Sequence, residues 1–261
     1  MSQALSSAPA VGPLLRDWRE RRRRSQLDLA LDAGVSTRHL SFIETGRARP
    51  SREMVLQLAE QLEVPLRARN VLLLSAGYAP AYAERALDDP ALTGARRAIE
   101  LVLAGHEPYP ALVFDRHWSV LATNKAVGVL LEGADPVLTE GPVNALRLAL
   151  HPAGLAPRIV NLGQWRAHLL HNLRAQIEAT ADPTLVALEA EVAAYPVADP
   201  GEANADDLGG VAVPLRLRTD AGTLTFISTT TVFGTPRDVT LSELALETFL
   251  PADEATAAAF R

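Results

Sequence analysis

Residues 34–51, GVSTRHLSFIETGRARPS, crowd hydrogen-bonding side chains into one short stretch: Thr37, Arg38, His39 and Ser41, then Arg47, Arg49 and Ser51. A guanidinium offers paired donors to a planar acceptor, and a hydroxyl donates or accepts as its partner requires. Such a set suits two targets at once, the edges of bases and the oxygens of phosphates. Arg38 can reach O6 and N7 of a guanine with two hydrogen bonds. Thr37 can bond a base edge or press its methyl on a thymine, with His39 and Ser41 beside it. Phe42 offers an apolar surface for a thymine methyl. Charge for phosphates comes from Arg22, Arg23 and Arg24, with Gln26 adding an amide. Ser36, Arg47, Arg49 and Ser51 flank helix starts, where backbone amides also favour an anion.

These side chains need helices to carry them. A helical pattern starts at Gly12, with Pro13 tolerable in its first turn and Leu14, Leu15 and Trp18 apolar. Ser25, followed by Asp28 three residues on, forms a capping-box-like start for a second helix. Gly34 ends it, and Ser36 caps a third, in which Leu40 and Ile43 face inward. Gly46 stops the third helix, Pro50-Ser51 opens a fourth, and a fifth follows Pro65 and ends near Gly77. Two helices joined by a tight glycine turn have helix-turn-helix spacing, in which the second helix of the pair enters the major groove of DNA.

Charge follows the same division. Residues 1–82 hold 12 Arg against 8 Asp plus Glu, net +4; the remainder holds 13 Lys plus Arg against 23 Asp plus Glu, net −10, which together give −6. A basic first third on an acidic chain fits a polyanion partner for that third alone. The chain of 261 residues contains no cysteine, which excludes disulfides, thiolate metal sites and cysteine nucleophiles. Neither a secretion signal nor an apolar run of membrane-spanning length is legible, so a cytoplasmic protein without a membrane partner is expected.

Residues 1–11 read as a disordered N-terminus, 12–78 as the helical domain and 79–92 as a linker. Beyond them the alphabet changes. The runs 111–115 and 118–123 have the spacing of a strand hairpin, 142–193 is helical, and GEANADDLGG (201–210) is an acidic, glycine-rich loop. Val211, Val213, Leu215 and Leu217 alternate with polar or small residues as a half-buried strand, which Pro214 makes an edge or a bulged strand. A threonine-rich strand covers 223–233. LALETFL (244–250) fits a capped helix or an alternating strand; the strand is favoured, with a short helix from Asp253. Strands, helices and strands again make an α+β domain with one antiparallel sheet over 93–261.

The segment SQLDLALDAGVSTRHLSFIETGRARPS resembles the Xre/lambda-repressor-type helix-turn-helix. Its continuation, REMVLQLAEQLEVPLRARNVLLLSAGYAP, is similar to the subset joined to an MmyB-like transcription-regulator ligand-binding domain. Likeness continues through YPALVFDRHWSVLATN, VNALRLALHPAGLAPRIVN and VPLRLRTDAGTLTFISTTTVFGTPRDVTLSEL to FLPADEAT, and so covers nearly the whole chain. The resemblance implies a multidomain protein: an all-α five-helix DNA-binding domain followed by an α+β PAS-like sensor domain that encloses a pocket, with a fatty-acyl ligand. It also implies that Arg19 pairs with Glu44, making Glu44 structural. Phe42 stands where some relatives carry a polar base-contacting residue.

Candidate pocket walls are Phe114, Trp118, Trp165, Phe226 and Phe233, although aromatics on strands fill cores by default. Asn124, His168, His171 and Arg174 are candidates to orient a head group. His168 and His171 are spaced to share a metal, but with no cysteine and no acidic third ligand placed beside them no metal is expected. Motifs for a nucleophile elbow, dinucleotide loop, phosphate loop or zinc protease are missing, so neither an enzyme nor a cofactor is expected. The expected protein is a homodimeric transcription regulator bound to palindromic double-stranded DNA and controlled by a fatty-acid-like ligand. The alternative is a ligand-independent regulator whose second domain serves dimerisation or partner binding.

Overall fold

The computed structural model describes residues 10–197, 212–220, 222–233 and 237–261. The loop at 201–210 lies outside the described residues, as does most of the N-terminal segment. Two compact units divide in the main between Glu84 and Arg85, with Glu178–Thr180 and Arg237–Val239 falling to the first. Among the described residues no helix is long and apolar enough to cross a membrane.

Five helices build the first unit: α1 (Val11–Arg21), α2 (Gln26–Asp32), α3 (Thr37–Glu44), α4 (Arg52–Gln61) and α5 (Leu66–Ser75). Local chemistry sets their ends. Ser25 Oγ accepts from Asp28 N at 3.1 Å while Ser25 N donates to the Asp28 carboxylate at 3.4 Å, a reciprocal cap at the start of α2. Gly34 takes φ +61°, which admits the reversal between α2 and α3 without a Cβ penalty. Ser36 and Ser51 cap α3 and α4 by accepting from His39 N and Met54 N, each at 3.1 Å. Each such cap stabilises by about 1 kcal/mol.

Leu15, Leu29, Leu40, Ile43, Leu58, Leu62, Leu72 and Leu73 are fully buried. At about 1.5–3 kcal/mol per large aliphatic side chain, burial outweighs the caps in holding α3 to its neighbours. One polar cluster sits inside this apolar set. Arg19 Nε and Nη2 donate to the two carboxylate oxygens of Glu44 at 2.7 and 3.0 Å, and Gln26 Nε2 donates to Glu44 Oε2 at 2.7 Å. The pairing of Arg19 with Glu44 is thus present, and it joins α1 to the last residue of α3. Gly12 tightens the same junction, since a Cβ there would lie 2.4 Å from Ile43 O and 2.7 Å from Glu44 O.

The second unit opens with α6 (Thr93–Gly105), followed by β1 (Ala111–Phe114), β2 (Val120–Thr123), α7 (Gly128–Leu131), α8 (Pro136–Thr139), α9 (Ala145–Leu150), α10 (Leu162–Thr180) and α11 (Pro183–Ala193). It continues through β3 (Leu215–Thr219), β4 (Gly222–Val232), α12 (Val239–Ser242), β5 (Ala245–Pro251) and α13 (Glu254–Ala258). The five strands form one antiparallel sheet in the order β2-β1-β5-β4-β3. Of the segment 244–250, all but Leu244 is therefore strand, and it supplies β5, the central strand of the sheet. Pro214 immediately precedes β3, an edge strand, where a missing N–H breaks no ladder.

Period-two alternation gives β5 two different neighbours. Leu244 and Leu246 pack with Ile99 and Leu103 of α6 and with Ala111 and Val113 of β1. Phe249 belongs to the larger core on the opposite face, with Leu112, Phe226, Leu215 and the apolar sides of α9, α10 and α11.

Candidate nucleic-acid interface and ligand cavity

On α3, Arg38 and His39 are exposed, Thr37, Ser41 and Phe42 are half-buried, and Leu40, Ile43 and Glu44 face the interior. The five candidate base-reading side chains thus share the outer side of one capped helix. Phe42 does more than offer an apolar surface. The Arg38 guanidinium carbon lies 5.3 Å from its ring centre and that of Arg47 lies 5.9 Å away, so one ring carries two cations.

Among the candidate phosphate contacts, Arg23, Arg47 and Arg49 are exposed, and Ser36 and Ser51 use their oxygens as cap acceptors while their hydroxyl protons can still point outward. Arg22, Arg24, Arg49 and Gln26 are engaged within the unit. Arg22 donates to Leu62 O and Glu63 O at 3.0 and 3.1 Å, closing the C-terminal end of α4. Arg24 donates to Gln61 O at 3.2 Å and pairs with Asp32. Arg49 donates to Ala76 O at 3.0 Å and lies 5.7 Å from the Tyr78 ring. Gln26 bonds Glu44. Helix ends present unpaired carbonyls, and these arginines satisfy them, which spacing in the sequence does not reveal.

The second unit contains a cavity of ≈ 110 Å³ between the sheet and α7, α9 and α10. Its walls are Leu, Val, Ala, Trp and Phe side chains together with Thr123 and Glu247. Of the nine residues singled out for a pocket, Trp118 and Trp165 are the two that line this cavity. Trp118 reaches it through the β1–β2 turn. Asp115 Oδ1 accepts from His117 N and Ser119 N at 2.8 and 2.9 Å, and Trp118 is held at φ +65°. The indole stacks on Phe114 at 4.7 Å and 7°, and Nε1 donates to Gln176 Oε1 at 2.8 Å. A non-glycine residue in this left-handed region costs about 1–3 kcal/mol, which the paired turn and the stacked ring offset.

The remaining candidates lie elsewhere. Phe114 backs Trp118, and Phe226 is fully buried core edge-on to Phe249. Phe233 packs with the cluster on the α6 side of the sheet. Asn124 is a structural tie: its Oδ1 accepts from Ala111 N at 3.0 Å and its Nδ2 donates to Tyr109 O at 2.7 Å, leaving no group for a ligand. His168 packs on Trp165 at 5.5 Å and lies 3.2 Å from Asn172 Nδ2. Burial, then the neighbouring His171, lowers its pKa below the usual imidazole value. His171 is exposed, and Arg174 pairs with Glu189 at 2.6 Å on the surface. The three α10 candidates, His168, His171 and Arg174, miss the cavity because a helix of five turns turns only one side to it, and that side is Trp165 and Leu169.

Sequence reasoning missed Glu247. It is 8% exposed and, among the described residues lining the cavity, is the only ionisable one. Burial pushes its carboxyl up to about 7, against a smaller opposing hydrogen bond from Ser228. A signal was available: in LALETFL, period two puts the acid on the side of Phe249, among apolar groups.

Residues 15–68 match a family model described as helix-turn-helix, and residues 95–261 match that of the MmyB-like transcription regulator ligand binding domain. A comparison with curated proteins finds no match. The two matches mark DNA-binding transcription regulation and the sensing of a ligand, in the order in which the charge and the cavity divide the chain.

Proposed function

Because the chain belongs to the family with the MmyB-like transcription regulator ligand binding domain, we propose that it is a sequence-specific DNA-binding regulator controlled by a small apolar ligand in its second unit. The observation that carries this reading is the cavity of ≈ 110 Å³ with aliphatic and aromatic walls. A single water needs roughly 10–15 Å³ of such space and two to four polar partners. The volume holds several waters, and the walls supply partners for few, so a hydrocarbon chain such as a fatty-acyl group is the favoured occupant.

One recognition helix reads only a few base pairs, so the regulator acts as a homodimer on a palindromic operator. Its workplace is the bacterial cytoplasm, where the operator is. Ligand control follows from population shift: a ligand that binds two arrangements of the dimer unequally changes the fraction competent for DNA. Nothing in this scheme asks the protein for catalysis.

The test is selection of bound sequences from a random DNA pool, followed by titration of the selected duplex with and without an apolar lipid extract. A tenfold or greater change in DNA affinity on adding extract supports the reading. Unchanged affinity would leave a ligand-independent regulator whose second unit dimerises or binds a partner.

A further inference from the structure

Glu247 sits in an environment that ordinarily excludes carboxylates. Register places it beside Leu112 of β1, whose other neighbour is Thr123 of β2, so Thr123, Leu112 and Glu247 form one row across three strands. Thr123 is exposed and Glu247 is buried, so the row runs from the rim of the cavity to its interior. Over the cavity, α7, α9 and α10 contribute Leu130, Leu146, Leu148, Trp165 and Leu169. From β4, the residues beside Glu247 are Thr230, opposite it, and Ser228, both uncharged. No Arg, Lys or His stands among the described residues that line the space.

That composition discriminates among head groups. An ionised carboxylate entering this cavity meets a second acid and no cation, so its charge is buried without compensation. An ammonium would form an ion pair with Glu247, but both charges would have to leave water together. A neutral acceptor meets a neutral carboxylic acid, whose O–H donates one hydrogen bond and buries no charge. From this geometry we infer that Glu247 is the head-group residue of the cavity, and that the ligand is an uncharged amphiphile whose polar end accepts a hydrogen bond from it. The class comprises long-chain alcohols, ketones and esters, as opposed to free fatty acids. Burial supports the protonation state required, because it holds the Glu247 carboxyl at about 7 and hence largely protonated just below neutrality.

The inference rests on the ligand-sensing reading above, and its test separates the two. Full-length protein is titrated at pH 6.5 with 1-decanol, decanoate and decylamine, which share one chain and differ in head group. Binding is followed by the fluorescence of Trp118 and Trp165, which line the cavity, and by calorimetry. 1-Decanol is expected to bind at least tenfold more tightly than decanoate. Glu247→Gln, which keeps a donor and removes the acid, should leave 1-decanol within about threefold and narrow the gap to decanoate. Glu247→Leu, checked for native circular dichroism, should weaken 1-decanol about tenfold. Tightest binding of decanoate or of decylamine would overturn the head-group assignment and leave ligand sensing intact. Affinities unchanged in both variants would also overturn it. Binding of none of the three would remove the ligand-sensing reading itself.

Discussion

The guanidinium of Arg38 lies 5.3 Å from the centre of the Phe42 ring, one turn further along α3. Phe42 also holds Arg47 at 5.9 Å, so a residue with no polar atom in its side chain organises two that have many. Arg38→Ala should cost about 1–3 kcal/mol on the selected operator and relax preference at one base position. Equal weakening on all sequences would reassign Arg38 to the DNA backbone. Phe42→Leu keeps the apolar bulk and loses the ring, and should cost about 0.5–1 kcal/mol while blurring the same base position.

Arg47 and Arg49 lie two residues apart and should behave differently. Arg47 is exposed, and Arg47→Ala is expected to lower the slope of log affinity against log salt by about 1, for every DNA sequence alike. Arg49 is tied to Ala76 O at 3.0 Å and covers Tyr78. Arg49→Ala should lower the denaturation midpoint and leave the slope nearly unchanged. Exchange of the two outcomes would reverse the roles.

Glu44 is buried, with both carboxylate oxygens engaged by Arg19 and one also by Gln26. Glu44→Ala leaves the buried Arg19 with only the longer ion pair to Glu20 at 3.7 Å and should destabilise the first unit by about 3–5 kcal/mol. Urea unfolding of the full chain should show the helical transition shifted, with the tryptophan signal from the second unit retained. A wild-type midpoint with lost DNA binding would instead make Glu44 a contact residue.

Glu247 gives stability a pH dependence of uncommon sign for a carboxylate. Its folded pKa is raised to about 7 from 4.5, so between these values the folded state keeps a proton that the unfolded chain releases. Stability therefore falls as pH rises through this window and levels off above about 7. At about 1.4 kcal/mol per pKa unit the loss amounts to about 3 kcal/mol. Comparison of urea midpoints at pH 5 and pH 8 should show this loss in the wild type and its absence in Glu247→Gln. A flat wild-type profile would mean that water reaches the carboxyl.

Glu191 works in the opposite direction. Arg147 of α9 donates twice to it at 2.8 Å and Tyr195 donates at 2.6 Å, and the Arg147 hydrogen bond in first place lowers its carboxyl to about 2. The stability it contributes is present above about 4.5 and is lost as pH falls towards about 2. The pair is partly solvated, so the contribution is under about 1 kcal/mol. Glu191→Gln should flatten the acid limb of the denaturation profile by that amount, and an unaltered limb would show the pair to be fully screened.

Helix ends were the most legible part of the fold. Ser25 with Asp28, Gly34, Ser36 and Ser51 act through neighbours two to four residues away, so their roles are local in sequence. Trp118 and Trp165 were found as large aromatics. The rest of the cavity was not, because it is made where strands and helices far apart in the chain converge on small aliphatic residues with no distinctive type. Arginines were legible as charge but not as partners. Arg22, Arg24 and Arg49 turn to the carbonyls of helix ends some 27–40 residues away, which follows only from how α1, α4 and α5 meet.

β5 stands in the middle of its sheet, with Glu247 in the cavity and Leu246, the next residue, against α6. Alternation along the strand therefore gives successive residues to opposite sides, the acid to the cavity and the leucine to Ile99 and Leu103. β5 is thus one wall shared by two cores, and α6, the first long helix of the second unit, packs on the side away from the cavity.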